Sequence, residues 1–305
     1  MNIGLIDVDG HNFPNFALMK ISAFHKAKGD NVEWAMPLMA ESYDLIYKSK
    51  IFTFTPDPDA TAWPCEVIKG GTGYDIASRL PDEIEASRLM DYDIYPNYDF
   101  SIQFLSRGCI RNCQFCLVQQ KEGFIKPVDP ADLNPRGRHI EVLDNNFFAN
   151  PEWKEAVKYL MESGQKINLH GVDVRIMNEE QAFYLNRLRI LKNIHIAWDL
   201  PTLDLTDKLK EVIKYLKPWK LTCYVLVGFN STIEQDLYRL ERLRELRIRP
   251  FVMPYRDYEG KRQPTQYEKD LAHWANRPEL FSTCTFAEFS PRKGFVCADY
   301  LSNQN

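Results

Sequence analysis

Three of the seven cysteines in this 305-residue chain fall within Arg107-Gly108-Cys109-Ile110-Arg111-Asn112-Cys113-Gln114-Phe115-Cys116. The other four, Cys65, Cys223, Cys284 and Cys297, stand singly. Thiolates so close in sequence repel one another and oxidise readily. The spacing Cys-x3-Cys-x2-Cys therefore points to a soft metal centre or, in a secreted chain, to a disulfide framework. A structural zinc or an electron-transfer cubane usually takes four protein ligands. No fourth Cys or His follows nearby, the next histidine being His139. A cubane held by three cysteines keeps one iron open for a substrate or cofactor, and a zinc knuckle completed from a distant position is the competing reading.

The stretch resembles the cluster loop of the radical S-adenosylmethionine (radical SAM) enzymes, whose pattern is CxxxCxφC with an aromatic residue at φ. Phe115 holds that position. The resemblance implies that Cys109, Cys113 and Cys116 each bind one iron of a 4Fe-4S cluster. It implies that the fourth iron chelates the amino and carboxylate groups of S-adenosylmethionine (SAM), with Phe115 beside the adenine. Reductive cleavage would then give methionine and a 5'-deoxyadenosyl radical that abstracts hydrogen from an unidentified substrate. An electron donor such as flavodoxin or ferredoxin is implied as a partner, and Arg107, Arg111 and Lys121 are candidates to dock it or to offset the cluster's charge.

Such a loop needs a rigid frame. The length suits one large domain or two modest ones, and 45% hydrophobic residues are enough for a packed core. No long apolar run marks a membrane span or a leader, so a cytoplasmic chain is expected. A formal charge of -4 gives no global attraction to nucleic acid.

From residue 98 the strand candidates are 99–105, 139–143, 167–171, 194–198, 221–227 and 250–253, with helix-period segments between most of them. Trp153, Val157, Leu160 and Met161 share one helical face, as do Leu209, Val212, Ile213 and Leu216. Helix starts are expected at Asn150-Pro151, at Asn178 with Gln181, and at Ser231 with Glu234. Serial βα units imply a parallel sheet with function at the carboxyl ends of its strands. This order resembles the partial (β/α)6 TIM-like barrel of radical SAM enzymes, the cysteines following its first strand.

The strand ends carry polar sets. Asp144-Asn145-Asn146-Phe147 follows the second strand and is similar to a stretch that, in that family, binds the SAM amino group; an Asx turn is the plainer reading. His170-Gly171-Val172-Asp173-Val174-Arg175 follows the third, where Arg175 matches a carboxylate bidentately or pairs with Asp173. Asp199 ends the fourth and is a candidate for the ribose hydroxyls. Gly228, after the fifth, lets adenine approach the backbone or simply opens the helix behind it.

The N-terminal region reads as a small Rossmann-like parallel α/β domain, with strands at 2–8, 32–34, 51–55 and 66–68 and helices after residue 16 and at 37–47. It resembles the cobalamin-binding-type domain preceding the barrel in one branch of the superfamily, with the motif DxHxxG, SxL, GG. Asp9-Gly10-His11 and Gly70-Gly71 match; Pro14 replaces a glycine, Thr53-Phe54-Thr55 stands near SxL, and the spacing to Gly70 is short. A turn role for His11 and an N-terminal domain without cobalamin are expected. The boundaries expected are 1–90, 98–257 for the barrel and 258–305 for an extension that helps select the substrate and frays at 301–305. An enzyme of radical SAM type is the leading reading. An iron-sulfur redox or binding protein is the alternative, and a methylthiotransferase-like enzyme is a narrower one.

Overall fold

The computed structural model describes residues 1–59 and 61–302. The expected fraying at 301–305 falls in part on residues 303–305, outside the described residues. The chain divides into two compact units, 1–143 and 144–305.

Unit 1 begins with β1 (Asn2–Asp7), α1 (Phe16–Ala27), β2 (Asn31–Trp34), β3 (Leu45–Ser49), β4 (Glu66–Gly70) and α2 (Asp82–Ala86). The four strands are parallel in the order β2-β1-β3-β4. Asn15 caps α1, its side chain accepting from Leu18 N. The apolar face of α1 puts Leu18, Met19 and Ile21 against Ile3 and Leu5 in a core that includes Ile84, Tyr92 and Ile102.

Two expectations fail here. Residues 37–47 form a short 3₁₀ turn, Pro37–Ser42, followed by β3, and 51–55 is not a strand. The apolar run Leu45-Ile46-Tyr47 belongs to a central strand buried between β1 and β4, where packing outweighs helix propensity. The loop after β3 is fixed by charge instead. Lys48, 3% exposed, reaches Asp57 at 2.7 Å and Asp59 at 2.8 Å. Burial pushes both carboxyls up, but Lys48 together with Tyr74 on Asp57, and with Trp63 and Thr61 on Asp59, holds them below the usual carboxylate range.

Unit 1 continues with β5 (Ser101–Gln103), β6 (Ser106–Arg107), α3 (Val118–Glu122), β7 (Lys126–Pro127) and β8 (His139–Val142). β5 and β8 are parallel, and β6 and β7 form a short antiparallel pair.

Unit 2 contains α4 (Trp153–Glu162), β9 (Lys166–Val172), α5 (Glu179–Arg187), β10 (Ile190–Ala197), α6 (Thr206–Val212), β11 (Leu221–Val227), α7 (Ile233–Glu245), β12 (Arg249–Pro254), α8 (Gln266–Ala275), α9 (Pro278–Thr283) and α10 (Ala298–Ser302). β9 to β12 run parallel in chain order. Among the described residues no sheet closes on itself. Asn178 and Gln181 make the expected capping box. The second box forms one residue later than expected, on Thr232 and Gln235, because Ser231 Oγ accepts from Gly228 N at 3.1 Å. α4 starts after Glu152, with Asn150 Oδ1 accepting from Glu152 N at 2.9 Å. Among the described residues no helix is long and apolar enough to cross a membrane.

Candidate functional site

The cysteine loop of unit 1 lies between β6 and α3. Gly108 opens it with φ +85°, where a Cβ would meet the carbonyl oxygens of Phe124 at 2.5 Å and Gly123 at 2.6 Å, so only glycine fits. Gly108 N donates to Glu122 Oε2 at 2.7 Å, and Glu122 also pairs with Arg107 at 2.8 Å. Cys109 N donates to Gly123 O at 3.3 Å, Cys116 N to Cys113 O at 2.9 Å, and Gln119 closes onto the Cys109 carbonyl. Cys109 and Cys113 are half-buried, Cys116 is exposed, and Phe115 is half-buried.

Arg111 N donates to Cys109 Sγ at 3.3 Å. Lys121 Nζ bonds Ser78 O, and its pKa is lowered by burial and by Arg79 and Arg107 nearby. Three thiols on a glycine-hinged loop with this basic flank suit a soft metal by the chemistry of the donors. Among the described residues no three His, Cys, Asp or Glu side chains stand together as a metal-binding group. The assignment of a cluster therefore rests on the loop's pattern and donors.

The remaining candidates lie in unit 2. Asp144 and Asn146 are buried and Asn145 is exposed. Gly171 explains how this turn meets β9: a Cβ there would overlap the Asp144 carbonyl oxygen and come within 2.9 Å of Asn145. Asn146 Nδ2 donates to Asp173 Oδ2 at 3.4 Å. Arg175 grips Asp173 bidentately, Nε to Oδ1 at 2.6 Å and Nη2 to Oδ2 at 2.9 Å, so the plainer of the two readings of Arg175 is the one formed. The structure thus brings Asn146, Asp173 and Arg175 into one chain of hydrogen bonds.

Asp199 follows β10 and accepts from Leu226 N at 3.2 Å. Burial raises its carboxyl to about 6, against the opposing effects of that N–H, Arg239 and Arg175. A carboxyl titrating near neutrality at a parallel strand end is a functional-site signal. Gly228 has φ +79°, and a Cβ on it would lie 2.6 Å from Glu268 Cδ and against the Arg262 guanidinium. Residues beyond 258 therefore cover the end of β11, Arg262 pairing with Glu268 at 2.5 Å while Thr265 and Glu268 cap α8.

Sequence reasoning passed over Arg262 and Glu268, although the Thr265-x-x-Glu268 box was a signal. The structure stacks His170 on His195 at 5.0 Å, and His195 on Tyr224 at 5.3 Å.

In unit 1, His11 is exposed, its ring 4.2 Å from Trp34 and 5.4 Å from Tyr95. Asp9 accepts from Ile51 N at 2.5 Å. Gly71 and Gly73 abut Lys50: a Cβ on Gly71 would overlap the Lys50 carbonyl, and one on Gly73 would come within 2.9 Å of Phe52 O. These glycines accommodate backbone from their own unit.

No family model matches the sequence, and no curated protein matches it. Among solved structures, the chain resembles a radical SAM methyltransferase, TsrM from Kitasatospora setae, solved with a tryptophan substrate and a SAM analogue. The TM-score is 0.60 at 10% identity, over 83% of this chain and 72% of that one. The likeness is one of fold: mixed α/β with parallel sheets.

Proposed function

We propose that this chain is a radical SAM enzyme. The observation that carries the reading is Cys109-x3-Cys113-x-Phe115-Cys116 on a glycine-hinged loop, in a chain that shares its fold with a radical SAM methyltransferase. Cys109, Cys113 and Cys116 would hold a 4Fe-4S cluster, which, when bound, supplies the electron that splits SAM reductively.

The chain's own residues do the binding and positioning. Arg111 N–H holds the Cys109 sulfur in place, and Gly108 sets the loop's entry. Asp144, Asn145 and Asn146 receive the SAM ammonium. Arg175, oriented by its bidentate pair with Asp173, meets the carboxylate. Asp199 takes the ribose hydroxyls, and Phe115 lies beside the adenine.

The test is anaerobic reconstitution, chemical reduction and assay for 5'-deoxyadenosine from SAM. Slow formation without added substrate is expected. S-adenosylhomocysteine alone, or no turnover by protein holding about four irons, would replace this reading with an iron-sulfur redox protein.

A further inference from the structure

The turns that end α4 and α5 meet at the amino ends of β9 and β10. Between them lies a cleft of about 200 Å³ lined by Leu160, Met161, Gln165, Arg187 and Arg189. It sits at the opposite end of these strands from Asp173 and Asp199. Leu160 is buried and Met161 is 43% exposed, and together they give the cleft an apolar wall.

Its polar groups are donors without acceptors to match. Arg187 makes no hydrogen bond or ion pair among the described residues, its guanidinium lying 5.3 Å from the centre of the Phe183 ring. Arg189 donates from Nη1 to the Gly164 carbonyl and meets no carboxylate. Gln165 Oε1 is enclosed and accepts no hydrogen bond, which leaves Nε2 as the open end of that amide. By contrast, Arg175, Arg239, Arg242, Arg262 and Arg292 of the same unit each pair with a carboxylate.

Cations are favoured at the carboxyl ends of helices, so capping is the simpler account of the two arginines. Capping uses one N–H of Arg189 and none of Arg187. It leaves two adjacent charges without a counter-charge and an amide without a partner. A cation would be repelled there, and a carboxylate would offset one charge of the two. A phosphate monoester carries about −1.5 to −2 at pH 7 and presents three acceptor oxygens, one for each donor group. The guanidinium fork matches those oxygens bidentately. The cleft is smaller than the roughly 300–1,000 Å³ that receives a drug-sized ligand, so the organic part has to be compact.

We propose that the cleft between α4 and α5 binds a small phosphate monoester, held by Arg187, Arg189 and Gln165 with its organic group against Leu160 and Met161. The site is independent of the radical SAM reading, since none of its residues stands at the strand ends assigned to SAM. The test is calorimetric titration of the full chain at low ionic strength with propyl phosphate, butyrate and inorganic phosphate. Propyl phosphate should bind saturably, with Kd below about 1 mM and about tenfold more tightly than butyrate. Arg187→Gln and Arg189→Gln should each weaken it about tenfold. Met161→Ser should remove the preference for propyl phosphate over inorganic phosphate and leave inorganic phosphate binding unchanged.

Arg249→Gln, at an exposed arginine on β12, should change nothing. If Arg189→Gln fails to fold for want of its bond to Gly164, Arg187→Gln decides alone, because the Arg187 guanidinium holds no hydrogen bond. Binding that does not saturate, that shows no preference over butyrate or inorganic phosphate, that survives Arg187→Gln, or that falls equally in Arg249→Gln overturns the proposal.

Discussion

Asp199 Oδ1 accepts the backbone N–H of Leu226 at 3.2 Å, one hydrogen bond set against the burial of a carboxyl at a strand end. Burial wins, and the group titrates at about 6 rather than near 3.8. The native state therefore binds a proton that the unfolded chain has already released between those values. The contribution is fully present below pH 3.8 and is lost as pH rises through about 6. A shift of this size corresponds to no more than roughly 3 kcal/mol. Chemical denaturation from pH 4 to 7 should show that decline superimposed on the other titrations, and Asp199→Asn should flatten it. An unchanged slope in the variant would assign the pH dependence elsewhere.

The cysteines should separate into two classes. Changing Cys109, Cys113 or Cys116 to Ala should abolish the iron bound after anaerobic reconstitution, together with absorption near ~400 nm. Cys65→Ala should keep both, and Cys223→Ala should too after correction for folding, since that thiol is fully buried and its pKa raised by burial. Stoichiometric zinc without iron would favour the zinc-knuckle reading.

Gly171→Ala tests how the strand-end set is assembled. Its Cβ would occupy the place of the Asp144 carbonyl oxygen, which is backbone and moves only with the turn. The cost expected is about 3 kcal/mol, at the upper end for overpacking, with a lower melting temperature. SAM affinity should fall more than stability alone explains, because Asn146 is carried on that turn to Asp173. A variant with wild-type melting and SAM binding would show that the turn relaxes freely.

The N-terminal unit should not bind cobalamin. Gly71 and Gly73 are filled against Lys50 and Phe52, and Pro14 fixes its own φ where the family pattern has glycine. Equilibrium dialysis with hydroxocobalamin should show no saturable binding. Micromolar binding abolished by His11→Ala would overturn this.

What could be read from the sequence was what depends on local spacing. The cysteine triplet, the 167–171 and 221–227 strands and the Asn178 cap are set by neighbours in the chain. The segment 37–55 misled because its apolar residues suit either period, and only burial of Ile46 between β1 and β4 decides for a strand. Ser231 and Thr232 are equally good caps, and the choice depended on Gly228 N needing an acceptor. The stacking of His170, His195 and Tyr224 was invisible for a similar reason. Alternation around His195 marks a strand, but which rings meet depends on the register of three strands.

Arg239 shows how α7 is tied to the end of β10. At 1% exposure it donates from Nη1 to Trp198 O at 2.8 Å and Asp199 O at 3.3 Å, and Nη2 pairs with Asp236 Oδ1 at 2.6 Å. Asp236 is buried as well, its carboxyl raised by that burial, with Tyr267 donating at 3.3 Å. Arg239→Met keeps the packing volume but strands the carboxyl and two carbonyls, so a loss of about 3–5 kcal/mol is expected. Asp236→Leu alone strands the guanidinium at a similar cost. The double variant removes both charges and should recover much of the loss, leaving a coupling energy of about 2 kcal/mol or more. Denaturant melts of the four proteins close the cycle, and strictly additive losses would show that the pair acts through packing alone.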